Sequence, residues 1–195
     1  MASGSDDRSI KIWNPNDGSL IRTLENHTNT VISLAVLSNG HLASGSFDRS
    51  IKIWNPNDGS LIRTLSGPTS AVYSLAVLPN GHLASGYFDR SIRIWNPEDG
   101  SLIRTLTGHS LVVVSIAVLP NGLLASGSRD NSIKIWNPED GSLIRTLDGH
   151  TDYVTSLAVL PNSYLASGSR DNSIRLWNLN ESLGGLCRKI TNKKK

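Results

Sequence analysis

The sequence predicts an all-β protein built from repeated four-stranded antiparallel sheets, and three observations support this prediction. First, the five tryptophans recur at a constant spacing of 41 residues, at Trp13, Trp54, Trp95, Trp136 and Trp177. Second, each unit holds four short runs of β-branched and aliphatic residues, separated by turns that contain Gly, Asn and Asp. Third, no stretch keeps a helical period. Repeats of this length build solenoids, propellers or arrays, and four strands per unit correspond to one blade of a β-propeller.

The second unit shows the four predicted strands in order, which we call a to d from the innermost outwards. Strand a reads VISLAVL (31–37), and a Ser-Asn-Gly turn leads into strand b, HLASGS (41–46). A turn centred on Asp48 leads into strand c, SIKIWN (50–55), and a turn at Asp58 and Gly59 leads into strand d, SLIRTL (60–65). In this unit, therefore, the turn-forming residues separate the runs of strand-forming residues, and both features predict the same four strands.

The number of strands predicts an incomplete ring of four full blades and one partial blade. The chain opens inside strand b of a first unit, and four units follow it. The last outer strand, within NLNESLGGLCRKI, lacks the usual turn and is shifted by two residues. We therefore expect a propeller segment over residues 1–190 and a basic tail at 191–195.

The units resemble the WD-repeat family (WD40-type propellers), whose blades carry a Gly-His pair, an Asp in a tight turn and a Trp-Asp ending. The pair or an altered form of it stands at Gly108–His109, Gly149–His150, Asn26–His27 and Gly67–Pro68. The ending is Trp-Asn in every unit. Five near-identical units in register, which indicate recent amplification, extend the resemblance from Ala2 to about Ile190.

The resemblance implies a structural tetrad of His, Ser, Asp and Trp in each blade, joined by hydrogen bonds. Buried His and Asp side chains are costly without partners, and a satisfied network would fix the geometry of the blade. Pro68 replaces the histidine of the third unit, so we expect that blade to be held less tightly. The matching positions are His27, Ser44, Asp48 and Trp54; Ser85, Asp89 and Trp95; His109, Ser126, Asp130 and Trp136; and His150, Ser167, Asp171 and Trp177.

Serine, histidine and aspartate in one unit also suggest a hydrolase triad, but their repetition argues against catalysis. The set returns in successive units without a distinct copy, and the sequence has no G-x-S-x-G elbow between a strand and a helix. Five histidines that are spread over four units do not form a metal cluster, and there is no phosphate-binding glycine loop. We predict no catalytic residue, no metal and no cofactor, and therefore a protein that is not an enzyme.

Variation among the units concentrates at the residue before the turn aspartate and at the start of strand a. In WD-repeat propellers both places lie on the face of the b–c turns and d–a loops, which commonly binds partners around the central channel. Aromatic residues and arginine anchor interfaces, and exposed apolar residues add contact area. The alternative is drift among recent duplicates. The predicted partner-binding residues are Ile32, Phe47, Tyr73, Phe88, Val112, Val114, Arg129, Tyr153 and Arg170.

The family resemblance implies a non-catalytic scaffold that binds protein or peptide partners. An alternative is the substrate-recognition module of a ubiquitin ligase, in which Arg129 and Arg170 read a phosphorylated or acidic peptide. Open blade edges expose backbone and apolar faces. We therefore also expect either self-association that completes a ring or a chain that forms part of a longer protein.

Composition adds the broad class of the protein. Hydrophobic residues make up 38% and charged residues 18% of the chain, as in soluble globular domains. The apolar runs are too short to span a membrane, and we expect no secretory signal from the first residues. The net charge of +3 lies partly in the tail CRKITNKKK, which we interpret as a solvated chain end, with binding to nucleic acid or anionic membranes as the third class of function. A single cysteine, Cys187, fits a reducing compartment, so we expect a cytoplasmic protein, with a nuclear location left open.

Overall fold

The computed structural model describes residues 1–65, 67, 70–161 and 163–179, together with the backbone of a strand at 188–190. Pro68, Cys187 and the tail at 191–195 lie outside the described residues. Within the described part of the chain every regular element is a strand, and no helix there could cross a membrane.

The described residues form nineteen strands in five antiparallel sheets, which we number as blades 1 to 5. Blade 1 has three strands, β1 (Ala2–Gly4), β2 (Ile10–Trp13) and β3 (Leu20–Leu24). Blade 2 has β4 (Val31–Val36), β5 (Leu42–Ser46), β6 (Ile51–Trp54) and β7 (Leu61–Leu65). Blade 3 has β8 (Val72–Val77), β9 (Leu83–Tyr87), β10 (Ile92–Trp95) and β11 (Leu102–Leu106).

Two further blades continue the same order. Blade 4 has β12 (Val113–Val118), β13 (Leu124–Ser128), β14 (Ile133–Trp136) and β15 (Leu143–Leu147). Blade 5 has β16 (Val154–Leu160), β17 (Tyr164–Ser169), β18 (Ile174–Asn178) and β19 (Arg188–Ile190). The prediction of four full blades and one partial blade is confirmed. The register shift of the last outer strand is also present, because Ile190 pairs with Ile174 where an unshifted repeat would place Arg188.

Each blade carries β-bulges at regular positions. In blade 3 Val72 pairs with Tyr87 and Ser74 pairs with Gly86, which leaves Tyr73 as the extra residue of the innermost strand. A bulge re-aims a side chain and leaves that residue outside the hydrogen-bonded ladder. This explains why the position varies among the units, since Ile32, Val114 and Thr155 are the corresponding bulge residues of the other full blades.

The core lies between successive sheets. One cluster joins Ile51 and Ile53 of blade 2 to Val72, Leu75 and Trp95 of blade 3, and the next two interfaces repeat it. Successive sheets approach each other closely, which accounts for the glycine in the ASGS strand. A Cβ at Gly127 would lie 2.6 Å from Cγ1 of Val154 in the next blade. Trp54, Trp95, Trp136 and Trp177 are at most 2% exposed.

Polar contacts also tie each blade to the next. The backbone N–H of Ile116 donates to Ser74 Oγ at 3.1 Å, and the N–H of Leu157 donates to Ser115 Oγ at 3.1 Å. On the outer strands the Arg104 guanidinium donates to the carbonyls of Glu139 and Asp140 in the following blade. These repeated bonds fix one blade relative to its neighbour and so hold the loops at its end in place.

Candidate functional site

In blades 2, 4 and 5 the four tetrad side chains form one chain of hydrogen bonds. In blade 4, Trp136 Nε1–H donates to Ser126 Oγ at 2.8 Å, and Ser126 Oγ lies 2.7 Å from His109 Nε2. His109 Nδ1 lies 2.8 Å from Asp130 Oδ2. The corresponding distances in blades 2 and 5 are 2.7 or 2.8 Å.

The directions of two of these bonds follow from the groups themselves. The Trp136 indole N–H can only donate, so Ser126 Oγ accepts from it, and the Asp130 carboxylate can only accept, so His109 Nδ1–H donates to it. The Ser126 hydroxyl has two neighbouring acceptors for its own proton, His109 Nε2 at 2.7 Å and the Lys134 carbonyl at 3.3 Å. Every polar group of the set is satisfied within the blade, which is what a structural network requires.

The electrostatics of blade 2 agree with this proton arrangement. Burial lowers the pKa of His27, which favours the neutral ring. Burial alone would raise the pKa of Asp48, but hydrogen bonds from Ser50, the Thr28 backbone and His27 outweigh it and lower the pKa to about 2. The Ser44 hydroxyl is fully buried, so the set is not placed to attack a substrate.

Blade 3 contains a different network around Tyr87. The hydroxyls of Tyr87 and Ser85 lie 3.0 Å apart, and Ser85 Oγ also accepts from Trp95 Nε1 at 2.9 Å. The Arg93 guanidinium carbon lies 4.4 Å from the centroid of the Tyr87 ring, and Arg93 Nη2 donates to Asp89 Oδ2 at 2.8 Å. The phenol of Tyr87 therefore makes the contact to serine that histidine makes in the other full blades.

The sequence contained a signal for this network that pattern reasoning missed. The position of Tyr87 is serine in the other four-stranded blades, at Ser46, Ser128 and Ser169, and it changes in the same unit that has Pro68 in place of histidine. Because both changes fall in one unit, we infer that Tyr87 replaces the missing histidine. Burial raises the pKa of Tyr87, which keeps the phenol protonated as a neutral partner of Ser85. That blade 3 is held less tightly than its neighbours stays a prediction.

Six of the predicted partner-binding residues contact one another in a continuous line, which we call the aromatic–arginine row. The ring centroids of Phe47 and Tyr73 lie 5.1 Å apart, and those of Tyr73 and Phe88 lie 6.4 Å apart. The Arg129 guanidinium lies 5.7 Å from the ring centroids of both Tyr73 and Tyr153. The row runs across blades 2 to 5 and consists of Phe47, Tyr73, Phe88, Arg129, Tyr153 and Arg170, the last 5.4 Å from Tyr153.

Backbone hydrogen bonds hold the row in position. The N–H of Phe88 donates to the carbonyl of Ala71, that of Arg129 to Val112, and that of Arg170 to Tyr153. Each bond joins the b–c turn to the start of strand a in the same blade. The row is therefore built on turns that are fixed to the sheets rather than on free loops.

Two clefts flank Phe88, whose side chain is 54% exposed. The cleft towards blade 2 has a volume of about 530 Å³ and is lined by Phe47, Arg49, Ser70, Ala71, Tyr73 and Phe88. The cleft towards blade 4 has a volume of about 590 Å³, and its lining includes Phe88, Arg90, His109, Leu111 and Val112. Arg49 and Arg90 were not among the residues predicted for the site. Both have a positive φ, 71° and 74°, which the third residue of this turn shares in the other blades, at Arg8, Asn131 and Asn172.

The three aliphatic residues predicted for the site have different environments. Ile32 is 42% exposed on the bulge of blade 2, and Val114 is half-buried. The expectation that Val112 adds exposed apolar area is wrong, because its side chain is only 7% exposed. It forms part of the wall of the cleft next to Phe88, where it can contact only a group that enters the cleft.

Among the residues that the structure describes, no group of three or more His, Cys, Asp or Glu side chains is arranged to hold a metal ion. The histidines of the three tetrads lie in separate blades and each is occupied by its serine and aspartate. The row with its two clefts is a surface of the described region that is open to a ligand.

Comparison with known proteins agrees with this architecture. The family model described as WD domain, G-beta repeat, matches residues 1–14, 18–55, 59–96, 100–137 and 141–178. Among solved structures, the WD40 β-propeller domain of Doa1 is similar over 93% of this chain, with a TM-score of 0.85 and 32% sequence identity. The similarity covers 61% of the Doa1 domain chain, so the present chain spans less than two thirds of its length. No curated protein matches the chain.

Proposed function

Because the chain belongs to the WD-repeat (WD40) family, we propose that it is a non-catalytic scaffold that binds a protein or peptide partner on the face of its b–c turns. WD40 propellers generally serve as scaffolds for protein interaction. The specific binding face and its residues are the part that belongs to this proposal.

The observation that carries the proposal is the continuity of the aromatic–arginine row. Its residues stand at the positions that differ among the near-identical units, and they contact one another across three blade interfaces. Aromatic and arginine side chains are the types that contribute most to binding energy at protein interfaces. Selection for the binding of one ligand would produce residues that differ among the units and yet contact one another in the folded chain.

Quantitative capture of proteins by immobilised variants tests the proposed face. Tyr73→Ser with Phe88→Ser removes two aromatic residues of the row, and Ile21→Ser with Ile62→Ser removes two exposed aliphatic residues of the outer strands as a matched control. We expect the first pair to lose the proteins that the unchanged chain captures and the control pair to keep them. A role for this face is contradicted if both double variants lose the captured proteins equally, or if the Tyr73→Ser with Phe88→Ser variant keeps them.

A second candidate is the recognition of an acidic or phosphorylated peptide, as in the substrate-recognition module of a ubiquitin ligase. The observation in its favour is that Arg129 and Arg170 lie on aromatic rings at one end of the row. The link to a ubiquitin ligase depends on a partner chain, and co-purification with ligase subunits tests it. We expect the subunits to co-purify with the unchanged chain and to be lost from the double variant Arg129→Gln with Arg170→Gln. Co-purification that the arginine changes leave intact contradicts this candidate.

A further inference from the structure

Three of the turns between strands a and b contain an asparagine followed directly by a glycine. Asn39, Asn80 and Asn121 occupy the same position in blades 2, 3 and 4, and all three are exposed. Asparagine is one of the chemically labile residue types, and a following glycine has no side chain to keep its backbone nitrogen away from the amide carbon. These turns lie at the end of the blades opposite to the aromatic–arginine row.

Two of the three amides are anchored to the next blade. Asn39 Nδ2 donates to Glu98 Oε1 at 2.8 Å, and Asn80 Nδ2 donates to Glu139 Oε1 at 2.8 Å. When a backbone nitrogen attacks such an amide, Nδ2 leaves as ammonia and negative charge develops on the amide oxygen. A carboxylate that accepts from Nδ2 holds the amide in place and repels that charge. These contacts therefore protect Asn39 and Asn80.

Asn121 lacks this carboxylate. The repeat places residue 180 at the position of Glu98 and Glu139, and that residue is Asn180, an amide. Asn180 lies outside the described residues, and among the residues that the structure describes none accepts a hydrogen bond from Asn121 Nδ2. Asn121 Oδ1 accepts from the backbone N–H of Leu123 at 3.2 Å, and the equivalent bonds of the other two amides measure 3.0 Å. The amide of Asn121 is therefore held less firmly than the other two.

The Asp-Gly pairs of the c–d turns can form the same cyclic product, but their side chains and backbone are held in place. Asp140 Oδ1 accepts from the Ser142 N–H at 2.8 Å, Oδ2 accepts from Asn137 Nδ2 at 2.9 Å, and the Gly141 N–H donates to the Asn137 carbonyl at 2.8 Å. Hydrogen bonds from Ser142 also hold the pKa of Asp140 below its usual range, and an ionised carboxylate resists attack because its oxygen must be protonated to leave. The same side-chain bonds are made at Asp17, Asp58 and Asp99.

We infer that Asn121 with Gly122 is a site of spontaneous deamidation, and that it reacts faster than the other two Asn-Gly pairs. The Gly122 nitrogen gives up its proton and bonds to Asn121 Cγ, the Cγ–Nδ2 bond breaks, and ammonia leaves with that proton. Water then opens the resulting cyclic imide. Attack at the side-chain carbonyl gives aspartate, and attack at the backbone carbonyl gives isoaspartate. Either product carries a negative charge that the amide does not have.

The two products differ in their effect on blade 4. Aspartate keeps the main chain and an oxygen that can accept from the Leu123 N–H. Isoaspartate adds a methylene group to the main chain of the turn between β12 and β13. Two backbone bonds close that turn, from the Leu119 N–H to the Leu123 carbonyl at 2.8 Å and from the Gly122 N–H to the Leu119 carbonyl at 2.9 Å. A fraction enriched in isoaspartate should therefore unfold at a lower temperature than Asn121→Asp.

Ageing of the full chain at neutral pH, followed by peptide mass spectrometry, tests the assignment. Chromatography separates the asparagine, aspartate and isoaspartate forms of each peptide. We expect Asn121 to be converted roughly three to ten times faster than Asn39 and Asn80, which is the factor that one hydrogen bond typically contributes. In denaturant the three pairs should react at similar rates, because the contacts to Glu98 and Glu139 are then absent.

Glu139→Ala is the variant that isolates the effect of the carboxylate. It removes the acceptor of Asn80 Nδ2 and leaves the backbone unchanged. We expect the rate at Asn80 to rise to that of Asn121, while Asn39 keeps its slow rate as an internal control because its contact to Glu98 is intact. Thermal unfolding of the variant confirms that it is folded.

Three results overturn the assignment. They are equal rates at the three asparagines of the folded chain, an excess rate at Asn121 that persists unchanged in denaturant, and a rate at Asn80 that Glu139→Ala does not raise. An isoaspartate fraction as stable as Asn121→Asp would contradict the expected effect on blade 4.

Discussion

Tyr87 and Ser85 of blade 3 are joined through their hydroxyls, 3.0 Å apart, at the place where histidine contacts serine in blades 2, 4 and 5. Tyr87 is fully buried and belongs to the core between blades 2 and 3. The phenol thus supplies both a polar partner for Ser85 and apolar volume. The tetrad of this blade has been replaced by another network rather than simply lost.

Substitution of Tyr87 should separate these two contributions. Tyr87→Phe removes only the hydroxyl and should lower the free energy of unfolding by about 1 kcal/mol. Tyr87→Ser, which installs the residue of the other blades, also leaves a cavity and should cost about 3–5 kcal/mol. Chemical denaturation measures both, with Tyr164→Phe as the control because Tyr164 is 37% exposed. A serine variant as stable as the phenylalanine variant would show that the ring is not part of the core.

Trp136→Ala tests the tetrad of blade 4. The indole is 2% exposed, packs in the core between blades 3 and 4 and donates to Ser126. Its removal should lower the free energy of unfolding by about 3–5 kcal/mol, as large-to-small core changes do. Ile144→Ala, at a side chain that is 53% exposed, should change stability by less than about 0.5 kcal/mol. Similar effects of the two substitutions would contradict the role of the tetrad.

Stability should decline as the pH falls, for two reasons that act in the same direction. The pKa of His27 is lowered in the folded chain, so below about pH 6.5 the unfolded chain binds protons that the folded chain does not. The pKa of Asp48 is lowered to about 2 from 3.8, so the stability it contributes above pH 3.8 is lost as the pH falls towards 2. Thermal unfolding between pH 8 and pH 3 measures this, and a melting temperature that rises in acid would contradict it.

Asp48→Asn is the matched variant for the pH experiment. An amide can still accept from His27 and Ser50 but does not titrate, so the variant should be less stable at pH 7 and should lose less stability between pH 5 and pH 3. Asp6→Asn, at an exposed aspartate of blade 1, is the control for an aspartate outside the tetrads. Parallel pH profiles of unchanged chain and Asp48→Asn would exclude Asp48 as a source of the acid sensitivity.

Sequence reasoning worked where one residue type has one physical role in every repeat. The Trp spacing, the turn residues and the alternation of short strands predicted the blades because these constraints act locally and return every 41 residues. Reasoning from the repeat failed where a unit departs from it. The role of Tyr87 was missed because its burial depends on packing against blade 2, and the one sequence signal for it is that Ser changes to Tyr in the unit that has Pro68.

The same limit applies to the binding face. The varied positions could be read from the sequence, but their contacts across blades depend on the bulge at Tyr73 and on the angle between sheets. Arg49 and Arg90 were missed because each is the third residue of a turn that reads as ordinary turn chemistry. Val112 was assigned to the surface because the depth of the cleft wall is a three-dimensional property. Self-association and the cytoplasmic location stay predictions.

Phe88→Ala combined with Arg129→Ala should leave the fold almost unchanged, because the row lies on turns that backbone hydrogen bonds already fix. Phe88 is 54% exposed, and the Arg129 side chain contacts the rings of Tyr73 and Tyr153, so we expect a combined loss below about 1.5 kcal/mol in the free energy of unfolding. Binding of the captured partner should fall at least tenfold, since aromatic and arginine anchors contribute the most at interfaces. Chemical denaturation and titration of the partner, measured on one preparation, separate the two effects. A loss of stability comparable to that of Trp136→Ala would instead assign Phe88 and Arg129 to the structural core of the propeller.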